Sequence, residues 1–206
     1  MPRLLPLVYP ITDTRLSGMT HAGQVERLAS GGATLIQLRD KAASPREFYE
    51  AALDAMSVAR SLGVRIIIND RVDIAIAVGA DGVHLGQDDI PPERARALLG
   101  PDPIIGYSTH NLEQALEADN APVGYVAIGP IFPTATKERS EPAVGLEGLS
   151  RIRLVVTKPI VAIGGITLDS ARSVIEAGAD SVAIISDLCS AGDIARRFSE
   201  LAASIG

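Results

Sequence analysis

A short unit recurs along this chain and limits what it can fold into. An amphipathic stretch ends at glycine and passes at once into a brief run of aliphatic and β-branched residues. Gly31-Gly32-Ala33-Thr34-Leu35-Ile36-Gln37-Leu38-Arg39 is the first clear copy, and Gly79-Ala80-Asp81-Gly82-Val83-His84-Leu85-Gly86 is a second. Gly178-Ala179-Asp180-Ser181-Val182-Ala183-Ile184-Ile185-Ser186 is a third. Glycine ends a helix by taking the left-handed conformation, and the apolar run behind it opens a strand buried on both faces. This pattern predicts strands near 7–13, 34–39, 65–69, 82–86, 104–108, 125–129, 160–164 and 181–185, with helices between and after them. The clearest helix is 45–62, where Phe48, Ala51, Ala52, Ala55, Ala59 and Leu62 recur at helical spacing. Ser44 is placed to cap it, with Pro45 in the first helical position and Glu47 completing a capping box.

Strands that alternate with helices form a parallel sheet. Eight of them, short and apolar, can close into a single-domain (β/α)8 barrel, the TIM-barrel form of the α/β class. An open doubly wound sheet is the competing architecture, but the first strand–helix turn carries no GxGxxG phosphate fingerprint. The 206 residues suit one such barrel, and no linker or low-complexity stretch divides them, so a single domain over 1–206 is expected.

Composition removes several function classes. A net charge of −6 argues against a nucleic-acid partner, which needs a clustered cationic surface. Apolar runs such as Ile74–Val78 and Val182–Ile185 fall far short of the roughly 20 residues that span a membrane. The start, Met1-Pro2-Arg3-Leu4-Leu5-Pro6, is too short and too interrupted by proline to read as a signal peptide. One cysteine, Cys189, cannot form an internal disulfide, which makes a reducing cytoplasm the expected compartment. Monomer and homo-oligomer are both open.

In a parallel barrel, chemistry gathers on the loops that follow the strand C-termini. Polar residues collect at those positions here. Gln37, Arg39, Asp40 and Lys41 follow strand 2, Asn69 and Asp70 strand 3, and Gln87, Asp88 and Asp89 strand 4. Ser108-Thr109-His110 ends strand 5, Gly129 to Lys137 follows strand 6, Gly164-Gly165-Ile166 strand 7, and Ile185-Ser186 strand 8. Gly164-Gly165 would let backbone N–H groups approach an anion, although plain turn formation also accounts for two glycines. Asp70 with Asp88 or Asp89 could share one Mg²⁺, which keeps waters and takes its other ligands from substrate phosphates. Alternatively, Asp70 and Asp89 cap the helices that follow them. Arg39, Lys41 and Lys137 would neutralise a diphosphate, or else serve as ordinary surface cations. Segment 130–145, broken by Pro130, Pro133 and Pro142, reads as a lid. His21, His84 and His110 show no metal-ligand spacing, and His84 reads as a hydrogen-bonded wall residue. Cys189 should pack at the start of the last helix, and Tyr9 and Tyr107 fit either a pocket or the core.

With these residues assembled, the chain resembles the thiamine phosphate synthase family, over nearly its whole length from Tyr9-Pro10-Ile11-Thr12-Asp13 to Ile184-Ile185-Ser186. The motifs that carry the likeness are Gln37-Leu38-Arg39-Asp40-Lys41, Ile68-Asn69-Asp70, Gly82 to Asp89, Gly129 to Lys137, and Ala162-Ile163-Gly164-Gly165-Ile166. The resemblance implies that a hydroxymethylpyrimidine diphosphate releases diphosphate to leave a pyrimidine carbocation, whose methylene the nitrogen of a thiazole phosphate attacks, giving thiamine phosphate. It implies that Gln37, Leu38, Arg39, Asp40, Lys41, Asn69, Ser108 and Lys137 hold the pyrimidine diphosphate. Thr134, Ala135, Thr136, Gly165, Ile185 and Ser186 would meet the thiazole phosphate, with Thr134, Thr136 and Lys137 also near the departing diphosphate. Asp70 and Asp89 would hold one Mg²⁺ per subunit, which decides between Asp88 and Asp89. Arg39, Lys41, Lys137 and Ser108 are then the expected catalytic residues. No general base is required, because the attacking thiazole nitrogen has no proton to lose. The rivals are a thiazole tautomerase on the same barrel, which needs neither metal nor diphosphate site, and a non-catalytic barrel that binds a phosphorylated ligand. A phosphosugar-type isomerase would want an acid/base pair across the mouth, and none is found.

Overall fold

The computed structural model describes residues 5–134 and 142–206. β1 (Val8–Pro10) leads through α1 (Thr14–Ser17) and α2 (His21–Ser30) to β2 (Leu35–Leu38). α3 (Pro45–Leu62), β3 (Arg65–Asn69), α4 (Val72–Val78), β4 (Gly82–Leu85) and α5 (Pro92–Leu99) follow. Next come β5 (Ile104–Thr109), α6 (Leu112–Asn120), β6 (Tyr125–Ile128), α7 (Gly145–Arg153) and β7 (Ile160–Ile163). α8 (Leu168–Glu176), β8 (Ser181–Ile184), α9 (Ser186–Cys189) and α10 (Ile194–Ile205) come last. The eight strands pair in parallel in the order β1-β8-β7-β6-β5-β4-β3-β2. The ring closes between β1 and β2 where Ile11 bridges Gln37 and the Thr12 N–H donates to the Gln37 carbonyl at 2.9 Å. This is the expected (β/α)8 barrel, with every strand near its predicted position.

The Gly-Ala-Asp repeat has a structural meaning. The Asp81 N–H donates to the Ile66 carbonyl at 2.9 Å, while the Asp81 carboxylate accepts the Ile66 N–H at 2.7 Å. Asp180 clasps Ile160 in the same way, at 2.9 and 2.8 Å. Each aspartate thus ties the start of its own strand to the strand before it. Gly79 and Gly178 take positive φ values of 65° and 111° as the pattern requires. In the first copy the left-handed residue is Gly32, at 103°, and Gly31 stays right-handed at −79°. Gly31 is needed for a different reason, since a Cβ there would lie 2.6 Å from the Ala195 carbonyl oxygen of α10.

α3 begins and ends as its caps dictate. Ser44 Oγ accepts the Glu47 N–H at 3.3 Å, Glu47 accepts the Ser44 N–H at 2.8 Å, and Gly63 stops the helix at φ 69°. Its buried stripe is Phe48, Ala52, Ala55, Met56 and Ala59, with Leu62 left half exposed.

Strand alternation divides the apolar residues into two cores. Ile36, Leu38, Ile66 and Ile68 face outward and pack beneath the helices. Leu35, Ile67, Tyr9, Tyr125, Val161 and Ala183 fill the barrel interior. Tyr9 and Tyr125 meet edge to face there, with centroids 6.0 Å apart at 88°. Gly106 lies opposite Tyr125 in the β5–β6 register, and a Cβ on it would fall 2.0 Å from that ring. Above this apolar floor the interior turns polar.

Candidate active site

A cleft of about 750 Å³ opens at the C-terminal rim, lined by Gln37 near the end of β2 and Arg39, Asp40 and Lys41 after it, and by Asn69 at the end of β3 and Asp70 after it. His84, Gln87, Asp88 and Asp89 line it from β4, and Ser108 and His110 from β5. The barrel therefore brings the polar ends of four neighbouring strands onto one surface.

The β2 loop is held by a network beneath it. Thr12 Oγ1 accepts the Arg39 N–H at 3.3 Å, and the Arg39 guanidinium lies 3.6 Å from Asp13. Asp13 also caps α1 by accepting the N–H groups of Arg15 and Leu16, each at 3.0 Å. Burial alone would raise the Asp40 carboxyl. The Ala42 and Ala43 N–H groups and the Thr14 hydroxyl outweigh it and hold Asp40 below the usual carboxylate range. Asp40 lines the cleft, but both its oxygens are engaged in shaping this loop. Leu38 points away from the cleft into the outer core, so only its main chain can face a ligand.

His21 supports the same loop from below. Its Nδ1 meets Thr12 Oγ1 at 2.7 Å, and its Nε2, which makes no hydrogen bond, lies 3.7 Å from Asp40. Burial pushes the imidazole pKa down, only partly opposed by Asp40, so His21 is neutral in the fold. The unfolded chain then takes up that proton more readily than the folded one. Its contribution to stability is complete above the ordinary histidine value of about 6.5 and declines as pH falls below it. Asp40, with its lowered pKa, keeps its own contribution until more acid conditions still. Asp89, whose carboxyl burial raises to about 6, acts in the opposite sense over the same interval, so the readout is the difference between two proteins: on going from about pH 7.5 to about pH 5.5, His21→Gln should lose less Tm than the parent. A thermal-shift profile as steep in the variant as in the parent would refute the assignment.

Asp70 stands apart in its backbone. At φ 62° it is the one non-glycine residue with positive φ among the described residues, held there as its N–H donates to the His84 carbonyl at 2.7 Å. Such strain persists only where the surroundings impose it and is concentrated at functional sites. Its carboxylate pairs with the Lys41 ammonium. Asp89 accepts the Gly86 N–H at 2.6 Å. Burial pushes the Asp89 carboxyl up to about 6, opposed by the Gly86 N–H, and the Asp70 carboxylate within hydrogen-bonding reach raises it further. Neither aspartate caps a helix, because the cap positions of α4 and α5 are Arg71 and Pro91. Asp88 also lines the cleft, but Asp89 is the residue that faces Asp70. Two adjoining carboxylates, one raised by burial and further by the other, form the hard oxygen donor set a divalent cation favours. Among the described residues no third His, Cys, Asp or Glu joins them.

Arg71, unexplained by the sequence, donates to Asp73 at 2.9 Å on the surface of α4. Cys189 is buried, and burial pushes its thiol up to about 11, which leaves it protonated and unreactive. Gly164 and Gly165, at φ 101° and 66°, underlie the strip after β6. A Cβ on Gly164 would lie 2.6 Å from Pro130, and one on Gly165 would lie 2.8 Å from Phe132. That strip is fastened by Ile131 N–H to the Ile163 carbonyl at 2.9 Å and Phe132 N–H to the Gly164 carbonyl at 3.0 Å. Both glycines are thus required by packing as well as by conformation. Ile185 lines the cleft, while Gly165 and Ser186 sit just past the ends of β7 and β8, outside its lining. Thr134 is described and has a partner of its own. Ala135, Thr136 and Lys137, with the middle of the expected lid, lie outside the described residues.

Sequence reasoning missed Arg15, Thr14 and the network role of His21. Arg15 lines the cleft from α1, and nothing local in the sequence shows that the loop after β1 turns inward.

Fold and rim together define a (β/α)8 barrel with a polar cleft at its C-terminal mouth, the face on which barrels of this kind carry their chemistry. Residues 8–188 match the family model described as thiamine monophosphate synthase. A thiamine-phosphate synthase of Chloroflexus aurantiacus is 45% identical over 199 residues, covering 96% of this chain and 92% of that protein. One from Koribacter versatilis is 48% identical over 191 residues, 89% of each chain. The solved thiamine phosphate pyrophosphorylase of Pyrococcus furiosus superposes with a TM-score of 0.87 at 41% identity, covering 96% of this chain and 94% of its own. The chain belongs to the thiamine monophosphate synthase family, and it is an enzyme of the transferase class. Among the described residues, no helix is long and apolar enough to cross a membrane.

Proposed function

We propose that this enzyme joins 4-amino-2-methyl-5-(diphosphooxymethyl)pyrimidine to a thiazole phosphate, releasing diphosphate and thiamine phosphate. The observation that carries the reading is the Asp70–Asp89 pair set beside Arg39 and Lys41 on one rim. The bond from the pyrimidine methylene carbon to diphosphate oxygen breaks, its electron pair leaving with diphosphate. The thiazole nitrogen lone pair then forms the new carbon–nitrogen bond.

Gln37, Asn69 and Ser108 orient the pyrimidine over the barrel axis. Arg39 and Lys41, joined by Lys137, offset the charge that grows on the departing diphosphate, where preorganised cations contribute most. Asp40 shapes the loop that presents Arg39 and Lys41. Thr134 and Thr136, with the main chain of Ala135, Gly165, Ile185 and Ser186, would seat the thiazole phosphate at the opposite side of the mouth. Asp70 and Asp89 would hold Mg²⁺, which when bound supplies Lewis-acid neutralisation of the diphosphate. Holding the two substrates together provides much of the remaining acceleration.

The test is product formation by the purified protein given both substrates and Mg²⁺. We expect one diphosphate released per thiamine phosphate made, and none from the pyrimidine diphosphate incubated without the thiazole beyond slow hydrolysis. Thiazole tautomerisation without diphosphate release would overturn the reading in favour of the isomerase, and ligand binding without turnover would overturn it in favour of a sensor.

A further inference from the structure

The loop after β1 carries a cation that the reaction as proposed does not use. Arg15, on α1, lines the same cleft as Arg39, Lys41 and Ile185. Arg39 lies against Asp13, and Lys41 pairs with Asp70. Arg15 differs from both, because its guanidinium makes no ion pair and no hydrogen bond among the described residues. A guanidinium offers five N–H donors in a planar fork, and here all five are open to a ligand.

The turn that presents Arg15 is held from within and from below. Asp13 caps α1, and Gly18 ends it at φ 66°. Ser17 Oγ donates to the Asp13 carbonyl at 2.8 Å, and the Thr14 hydroxyl donates to Asp40 at 3.2 Å. Beneath the turn, the wholly buried Gln24 accepts the Asp13 N–H at 3.1 Å and donates to the Met19 carbonyl at 3.2 Å. Cys189 Sγ donates to the Ile11 carbonyl at 3.5 Å. A connection that only joined β1 to α2 would not need a buried glutamine under it, whereas one that aims a side chain does.

α1 stands between the two halves of the mouth. On one side Asp13 and Thr14 reach Arg39 and Asp40 of the β2 loop. On the other side α1 packs against α9, which begins at Ser186. The diphosphate half already has Arg39 and Lys41. Among the described residues that would seat the thiazole phosphate, Thr134, Gly165, Ile185 and Ser186 bring a hydroxyl and main-chain N–H groups but no cation. A phosphate monoester carries close to two negative charges near neutral pH, and a guanidinium fork forms some of its strongest bonds.

Resting on the proposed reaction, we infer that Arg15 is a specificity-determining residue whose guanidinium pairs with the phosphate of the thiazole substrate. It selects the phosphorylated thiazole over the free thiazole alcohol.

Arg15 is exposed, so its substitution leaves the core intact and kinetics can be read directly. Arg15→Gln should raise KM for the thiazole phosphate by roughly 10–100-fold, with kcat and KM for the pyrimidine diphosphate within about twofold of the parent. Arg15→Lys, which keeps the charge and loses the fork, should recover part of that loss. A rise confined to KM for the pyrimidine diphosphate would assign Arg15 to the diphosphate and overturn the inference. Unchanged KM values for both substrates would make it a solvent cation and overturn it equally. Calorimetry separates the inference from the reaction it rests on, because it needs no turnover. The parent should bind the thiazole phosphate at least about tenfold more tightly than the thiazole alcohol, and Arg15→Gln should erase most of that difference by weakening the phosphate alone. A preference undiminished in Arg15→Gln would overturn the inference. A parent that shows this Arg15-dependent binding but makes no thiamine phosphate would overturn the proposed reaction and leave the assignment of Arg15 standing.

Discussion

Asp70→Asn is expected to lower kcat/KM by roughly 10²–10³-fold, since in the proposed mechanism several kcal/mol of charge stabilisation would depend on one ligand of a two-carboxylate cation site. Its Tm should stay within about 2 °C of the parent, because asparagine occupies the left-handed region as readily as aspartate. The pairing of these outcomes is what makes the prediction sharp. A residue at φ 62° is a natural place to look for a folding defect, and a large activity loss without one assigns the carboxylate to chemistry. Calorimetry with Mg²⁺ alone should show weakened binding in the same variant. Stripping the parent with EDTA should abolish turnover, and Mg²⁺ should restore it. Full activity in Asp70→Asn, or in chelated enzyme, would remove the cation from the mechanism.

Gly106→Ala should destabilise the barrel by about 3 kcal/mol, at the upper end of what overpacking a core costs. For a chain of this length that corresponds to a drop in Tm of roughly 6–12 °C. The added methyl would fall 2.0 Å from Tyr125 Cζ and 2.2 Å from its hydroxyl oxygen, and both belong to a side chain wholly buried in the barrel. Neither strand can move aside, because β5 and β6 are each hydrogen-bonded on both sides within the ring. The tyrosine must therefore turn, which also breaks its bond with His84. Denaturant unfolding of Gly106→Ala, Tyr125→Val and the double variant should show the double losing less than the two singles together. Additive losses, or a neutral Gly106→Ala, would show that the ring has room to relax.

The parts of this protein that could be read from the chain are those set by neighbours a few residues apart. The Ser44–Glu47 capping box, the stop at Gly63 and the positive φ of Gly79 and Gly178 are local matters of backbone conformation and hydrogen-bond supply. Strand positions were legible because a strand buried on both faces must be apolar throughout. Clustering of Gln37, Arg39, Asp40, Lys41, Asn69, Asp70, Asp89 and Ser108 at one mouth followed once a barrel was assumed, since all lie at or just beyond the C-terminal ends of strands.

Pairing across the barrel was not legible. Spacing alone left Asp88 and Asp89 equivalent, and it is the turn at Gly86 that directs Asp89 toward Asp70. His84 reads along the chain as a wall residue, yet its partners Tyr125 and Ser108 are 41 and 24 residues away. Gly164 and Gly165 read as an anion cradle, but their packing against Pro130 and Phe132 appears only when β6 and β7 lie side by side. Periodicity, caps and turn residues thus determined the eight strand–helix units and which residues would reach the rim. Closure of the ring through Ile11, Thr12 and Gln37, together with the register of each strand pair, decided which of those side chains meet. Local conformational preference acts over a few residues, whereas a contact across a barrel depends on every strand register between its two partners.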